Sequence, residues 1–250
     1  MKTCTILGTE IAVTTMEETV RYIEEHMEEL RGKYICVSNV HTTVTAYEDE
    51  SYRKVQNGAA FALPDGKPLS LYSKKHGFPE AERVTGPDLM GELLARDNGL
   101  THYFYGGSEA TIRTLREKLP KEYPHLKIAG MVSPPYRPLT KEEDAAQVEA
   151  MNASGADIIW IGLGAPKQER YMFEHQGLTQ GVMVGVGAGF DYYAGTIRRA
   201  PMWMQKLSLE WLYRLMQDPK RLFKRYFVTN FKFLRLTLGR GKKSRGEKKS

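Results

Sequence analysis

The sequence predicts an α/β fold: a mainly parallel sheet with flanking helices, followed by a basic C-terminal helical appendage. Three observations lead there. Short apolar runs of strand character alternate with helical patterns as far as about residue 190, as in chained β–α units. Several runs end in Gly, Pro, Asn or Asp, residues that turn a strand into the next element. Past Arg199 the strand signal stops and the charge reverses: residues 1–197 hold 20 Lys and Arg against 27 Asp and Glu, and residues 198–250 hold 16 against 3. The chain therefore divides into an α/β domain at 1–197, a basic amphipathic helical appendage at 198–240 and a low-complexity basic tail at 241–250, expected to be disordered.

Thr5 to Val13 reads as a short strand pair turning at Gly8. Thr15-Met16-Glu17-Glu18 forms a capping box that opens an acidic helix to about Leu30. Tyr34 to Ser38 is a strand. A helix from about Thr42 to Asn57 comes next, closed by Asn57-Gly58. Ala60 to Leu63 is a strand ending in a Pro-Asp-Gly turn. Pro87 to Ala95 is helical, His102 to Tyr105 a strand, Ser108 to Leu119 a helix and Ile128 to Val132 a strand. Past a Pro-rich loop at Ser133 to Pro138, Lys141 to Ala153 is a helix, Asp157 to Ile161 a strand, Lys167 to His175 a helix and Val182 to Val186 a strand. No fixed-period repeat occurs. In the appendage, Pro201 opens and Pro219 divides two expected helices. Phe223, Phe227, Phe231, Leu234 and Leu238 recur on one face of the second, with Lys224, Arg225, Lys232 and Arg235 among them.

With 250 residues, 41% hydrophobic, the chain suits one cored domain plus an appendage. Cys4 and Cys36 fall in apolar runs and read as core thiols of a reducing cytosol. The N-terminus reads as no signal peptide, and no run of about 18 apolar residues suggests a bilayer span. The basic appendage calls for an anionic partner, either nucleic acid or a phospholipid surface.

Several stretches can carry chemistry. Asp65 in Ala62-Leu63-Pro64-Asp65-Gly66 is either a turn residue or a base at the sheet edge where α/β folds bind ligands. Gly106-Gly107-Ser108 is either a tight turn with a Ser cap or a diphosphate cradle whose backbone N–H groups meet an anion. Gly162-Leu163-Gly164-Ala165-Pro166-Lys167-Gln168-Glu169 is either a loop with helix-start polar residues or a second close backbone approach, with the Gln168 amide able to read a polar ring edge. Asn39 and His41 follow a strand on the same expected edge; for His41 the alternative is a cap or surface histidine. Gly185-Val186-Gly187-Ala188-Gly189 is a weak dinucleotide fingerprint, since Phe190-Asp191-Tyr192-Tyr193 and then a basic segment follow it. No HExxH, CxxC or Asp-x-Asp occurs, so no metal site is read.

Taken together, Asn39, LPDG at 63–66, Arg83-Val84-Thr85-Gly86-Pro87-Asp88-Leu89, FYGG, GLGAPKQE, GVGAGFD, GTIRRA at 195–200 and Leu209-Glu210-Trp211-Leu212-Tyr213-Arg214 come in an order that resembles the WecG/TagA/CpsF glycosyltransferases along nearly the whole chain. The resemblance implies a Rossmann-like fold and an inverting, metal-independent enzyme without a cofactor, peripheral at the inner face of the plasma membrane. It implies transfer of a sugar, N-acetylmannosamine or a related hexose, from a UDP-sugar to GlcNAc on undecaprenyl diphosphate, for teichoic acid, capsule or exopolysaccharide. It makes Asp65 the base and Asn39, Gln168, Arg214 and Arg221 substrate-binding, with Lys224-Arg225 near a third cationic position. His41, Arg83, Gly106, Gly107, Gly162, Gly164 and Asp191 complete the candidate binding set. Val37 stands where some members carry a polar residue, with Ser38 adjacent. The expected partners are the UDP-sugar donor, the polyprenyl-diphosphate-linked acceptor and an anionic membrane surface. No nucleic acid is expected, and a homo-oligomer is left open. The rival classes are a non-catalytic nucleic-acid-binding protein using the basic tail and a nucleotide-dependent oxidoreductase.

Overall fold

A computed structural model of the chain describes residues 1–207 and 209–243, without the side chains of Lys206, Arg221, Lys224, Arg225 and residues 239–243. The strands are β1 (Thr3–Ile6), β2 (Thr9–Ala12), β3 (Tyr34–Ser38), β4 (Phe61–Pro64), β5 (Thr101–Gly106), β6 (Lys127–Val132), β7 (Ile158–Gly162) and β8 (Val182–Gly185). The helices of the body are α1 (Met16–Glu25), α2 (Met27–Leu30), α3 (Val40–Glu48), α4 (Glu50–Asn57), α5 (Lys67–Lys75), α6 (Gly86–Ala95), α7 (Glu109–Glu122), α8 (Lys141–Ala153), α9 (Lys167–Glu174) and α10 (Gly189–Ala194). The appendage adds α11 (Met202–Lys206), α12 (Glu210–Gln217) and α13 (Pro219–Lys243). The low-complexity tail beyond Lys243 lies outside the described residues.

The eight strands form one sheet in the order β1-β2-β4-β3-β8-β7-β5-β6. Only the β1–β2 pair is antiparallel. The central strands are buried on both faces, and their side chains alternate between two cores with the period of two that a pleated strand imposes. Ile35, Val37, Phe104, Trp160 and Val184 face one core with α1, α6, α7 and α10. Tyr34, Cys36, Tyr105, Ile161 and Met183 face the other, with α3, α5, α8 and α9. Both cysteines are free and buried. The result is a Rossmann-like doubly wound sheet, as the sequence predicts.

The chain leaves β3 toward β4 on one side, while β8, the last strand, returns to the other side of β3. The order reverses there, and the carboxyl ends of β4, β3, β8, β7 and β5 beside this switch point are where an open α/β sheet binds its ligands.

Local chemistry accounts for the departures from expectation. The helix expected over 42–57 is two helices, because Asp49 turns the chain and its carboxylate accepts from the Ser51 and Tyr52 N–H groups. The acidic helix likewise restarts after His26. Helices α5 and α10 were not expected. Gly66 precedes α5 at φ 109° and Pro68 sits in its first turn, so a stop signal for the strand was also a start signal for a helix. Among the described residues the appendage has three helices rather than two. Leu222 and Phe233 of α13 are buried, and Phe233 joins the core beside α3. Burial of this size is worth about 2 kcal/mol per side chain. Lys232 pairs with Glu48. The far side of the helix leaves Phe223, Phe227, Phe231, Leu234 and Leu238 exposed. No helix among the described residues is long and apolar enough to cross a membrane.

Candidate active site

Asp65 stands one residue past β4, at the carboxyl edge. Its N–H donates to the Ser38 carbonyl oxygen at 2.7 Å, which ties the turn to the end of β3. The side chain is about 30% exposed. Burial pushes its carboxyl from 3.8 up to about 6. Arg83 and Arg214 pull the other way, while Glu210 and Asp88 add to the rise. A carboxyl poised near 6 is ionised at neutral pH and still a competent proton acceptor.

Around it lies an ion network that joins the body to the appendage. Arg83 Nε is 3.9 Å from Asp65 Oδ1, and Arg83 Nη2 is 2.5 Å from Glu210 Oε2. Glu210 Oε1 also meets Arg199 Nε at 3.3 Å, and Arg199 Nη2 lies 2.5 Å from Asp88 Oδ1. Asp88 is held by the Thr85 hydroxyl at 2.6 Å. Arg199 and Arg214 both lie over the Tyr192 ring, 5.9 and 5.7 Å from its centroid. Burial pushes the Tyr192 hydroxyl up to about 12, so it stays protonated beside the arginines.

Asn39 caps α3: its Oδ1 accepts from the His41 and Thr42 N–H groups at 3.0 and 3.2 Å. Its amide NH2 is left pointing a donor pair from the end of β3. His41 is part-buried in the first turn of α3, whose cap is Asn39. Val37 faces the core rather than the cleft, whereas the Ser38 hydroxyl donates to Gln56 within the protein.

The glycine stretches divide in role. The Gly107 N–H, expected to face an anion, donates to the Gly162 carbonyl oxygen at 3.0 Å instead. A Cβ on Gly106 would sit 2.5 Å from the Gly162 carbonyl carbon, so this glycine lets β5 and β7 approach. Gly162 in turn lies under the Phe190 ring. In the first turn of α7 the Thr111 N–H donates to the Ser108 hydroxyl at 3.1 Å, which leaves the Glu109 and Ala110 N–H groups to meet an anion. Gly164 and Gly187 are different. Both have positive φ, 76° and 57°, and a Cβ on either would meet nothing within 4 Å. These loops after β7 and β8 are open to a ligand.

Gln168 is buried, and its Oε1 accepts from the Gly164 and Gly187 N–H groups, both at 3.1 Å. It joins the two open loops rather than extending its oxygen into the cleft. Asp191 Oδ1 accepts from the Thr111 and Thr196 hydroxyls at 3.1 and 3.2 Å, linking α10 to α7. The side chain of Arg221 lies outside the described residues, as do those of Lys224 and Arg225. Among the described residues, no group of three or more His, Cys, Asp or Glu side chains converges as a metal site.

The sequence profile described as the Glycosyl transferase WecG/TagA/CpsF family matches residues 4–247. The chain belongs to this family. It is therefore an enzyme of glycosyl transfer. A relative from Bacillus subtilis (strain 168) is 29% identical over 225 residues, 88% of this chain and 86% of its own length. One from Bacillus spizizenii (strain W23) is 31% identical over 199 residues, 78% of this chain and 76% of its own. Both are named N-acetylglucosaminyldiphosphoundecaprenol N-acetyl-beta-D-mannosaminyltransferase.

Membership displaces both rival classes, and topology gives a second reason against the oxidoreductase. The fingerprint-like GVGAG follows β8, the last strand among the described residues, so no βαβ unit is built on it there. Within the family's motifs, sequence reasoning passed over Glu210, Arg199 and Asp88. Glu210 had a visible signal: it is one of three acidic residues in a segment with 16 basic ones.

Proposed function

We propose that the enzyme transfers a hexose, N-acetylmannosamine or a close relative, from a UDP-sugar to GlcNAc carried on undecaprenyl diphosphate, in teichoic acid-type, capsule or exopolysaccharide synthesis. Asp65 carries this reading: a carboxyl raised to about 6, at the sheet edge, among arginines from both body and appendage. As base it takes the proton from the acceptor hydroxyl while that oxygen attacks the anomeric carbon and the bond to UDP breaks. The relatives' names specify a β-linked product. From an α-configured sugar nucleotide, a single displacement gives that product by inversion.

The leaving UDP gathers negative charge. In the proposed metal-independent mechanism, the first-turn N–H groups of α7 and the cationic side chains Arg214 and Arg221 take it up. Asn39 and the loops at Gly164 and Gly187 hold the donor. The two-part division also belongs to this proposal: a catalytic domain at 1–197 and a membrane appendage at 198–240, followed by a disordered tail. The exposed Phe223, Phe227 and Phe231 enter the interface at the inner face of the plasma membrane, and neighbouring lysines and arginines meet anionic head groups. The appendage thereby closes the site where the lipid-linked acceptor lies.

The test is UDP release from a panel of UDP-sugars, with and without a short-chain lipid-diphosphate-GlcNAc acceptor. Acceptor-dependent release with one donor is expected. Release that ignores the acceptor, or none with any donor, would overturn the reading.

A further inference from the structure

Five buried polar side chains form one contiguous polar chain behind the carboxyl edge of the sheet. The Ser38 hydroxyl donates to Gln56 Oε1, and Gln56 Nε2 donates to the Tyr52 hydroxyl oxygen at 3.0 Å. The Tyr52 hydroxyl interacts with the Glu169 carboxylate. From the other side, Gln168 Nε2 donates to Glu169 Oε1 at 2.9 Å. Gln168 Oε1 then accepts the Gly164 and Gly187 N–H groups. Every one of these side chains is at most 2% exposed, and Glu169 is wholly buried.

A buried carboxylate is costly unless donors surround it, and such a chain has one satisfied orientation. An amide has two faces that differ only in donor and acceptor. At Gln168 the carboxylate behind it decides which face is forward. If the amide turned over, its NH2 would meet the two glycine N–H groups, and its oxygen would meet Glu169.

We propose that Glu169 is a positioning residue for donor binding: it fixes the Gln168 amide and so the shape of the two open glycine loops after β7 and β8. Glu169 itself touches no substrate. The inference rests on the reading that these loops hold the nucleotide donor.

The experiment compares Glu169→Ala, Glu169→Gln and Tyr52→Phe with the wild type in three readouts: amide hydrogen exchange at Gly164 and Gly187, Kd for UDP, and the split between donor KM and kcat. Glu169→Ala is expected to lose protection at both glycines and to weaken UDP binding and raise donor KM about tenfold, with kcat changed less than about threefold. Glu169→Gln keeps an oxygen for Gln168 and should recover most of both. Should Glu169→Ala not fold, Tyr52→Phe carries the test, with a smaller loss in the same direction. Unchanged exchange and Kd in Glu169→Ala, or in Tyr52→Phe where it alone is testable, overturns the inference. So does a Gln variant as impaired as the Ala one. Failure of the wild type to transfer from any donor would refute the transferase reading instead, while the exchange data would still decide the role of Glu169.

Discussion

Replacing Asp65 by Asn should cost activity and gain stability, and the gain should depend on pH. The folded carboxyl titrates near 6 and the unfolded one near 3.8, mainly because the cleft removes it from water. The folded state therefore holds this proton more tightly than the unfolded chain does. That contribution favours folding below pH 3.8 and is lost as pH rises through 6. At pH 8 the full gap is worth about 3 kcal/mol; since about 30% of the side chain still meets solvent, about 1–3 kcal/mol is the expected range. Asn carries no charge at any pH and escapes the cost. For a chain of this size each kcal/mol moves Tm by about 2–4 °C. Measured against wild type, the Asn variant should thus melt several degrees higher at pH 8 than the difference seen at pH 4.

The same substitution removes the proton acceptor, so acceptor-dependent UDP release should fall about 10²- to 10⁴-fold. In the wild type the rate should rise with pH through an acid limb near 6, and in the variant that limb should vanish. A Tm difference that is the same at pH 4 and 8, with turnover within about threefold of wild type, would refute the reasoning. Asp65 would then be a turn residue with an ordinary carboxyl.

The geometry sets three further outcomes. Glu210→Gln removes a negative charge that raises Asp65 and loosens the hold on Arg83 and Arg199, so the acid limb of the pH–rate profile should move to lower pH. An unmoved limb would detach Glu210 from the site. Phe227→Glu with Phe231→Glu alters side chains already exposed, so Tm should shift by no more than about 1 kcal/mol in equivalent stability, while sedimentation with vesicles rich in anionic lipid should drop sharply. Gly106→Ala forces a Cβ to 2.5 Å from the Gly162 carbonyl carbon at φ 132°, and chemical denaturation should report a loss above about 2 kcal/mol.

The layout of the body was legible because strands buried on both faces write themselves as apolar runs, and each ends in a turn residue at the same sheet edge. Asp65 and Asn39 could be singled out on that ground before any resemblance entered. The two missed helices share a cause. Each begins at a glycine, so the signal that closed one element hid the opening of the next. The glycine stretches were legible as close approaches, but not as to which group approaches. Gly106 and Gly107 meet a neighbouring strand, whereas Gly164 and Gly187 face open space, and no local pattern separates the two cases. Gln168 is the sharper lesson. A polar residue in a first helical turn is a natural ligand reader, yet whether its amide faces a cleft or a buried carboxylate depends on Tyr52 and Gln56, more than a hundred residues earlier in the chain.

The charge asymmetry takes on a specific meaning once Glu210 is located. A body with a net charge of −7 and an appendage and tail with +13 attract each other without any particular register. Glu210 supplies the register by running against that trend: an acid on the basic segment, 13% exposed, gripped by Arg83 from the body and by Arg199 from its own segment. Nonspecific attraction alone would tolerate many docked positions, because screened surface charges discriminate poorly between them. An inverted pair, desolvated and shared between two arginines, fits only one. It sets α12 so that Arg214 lies over Tyr192 and acts on Asp65.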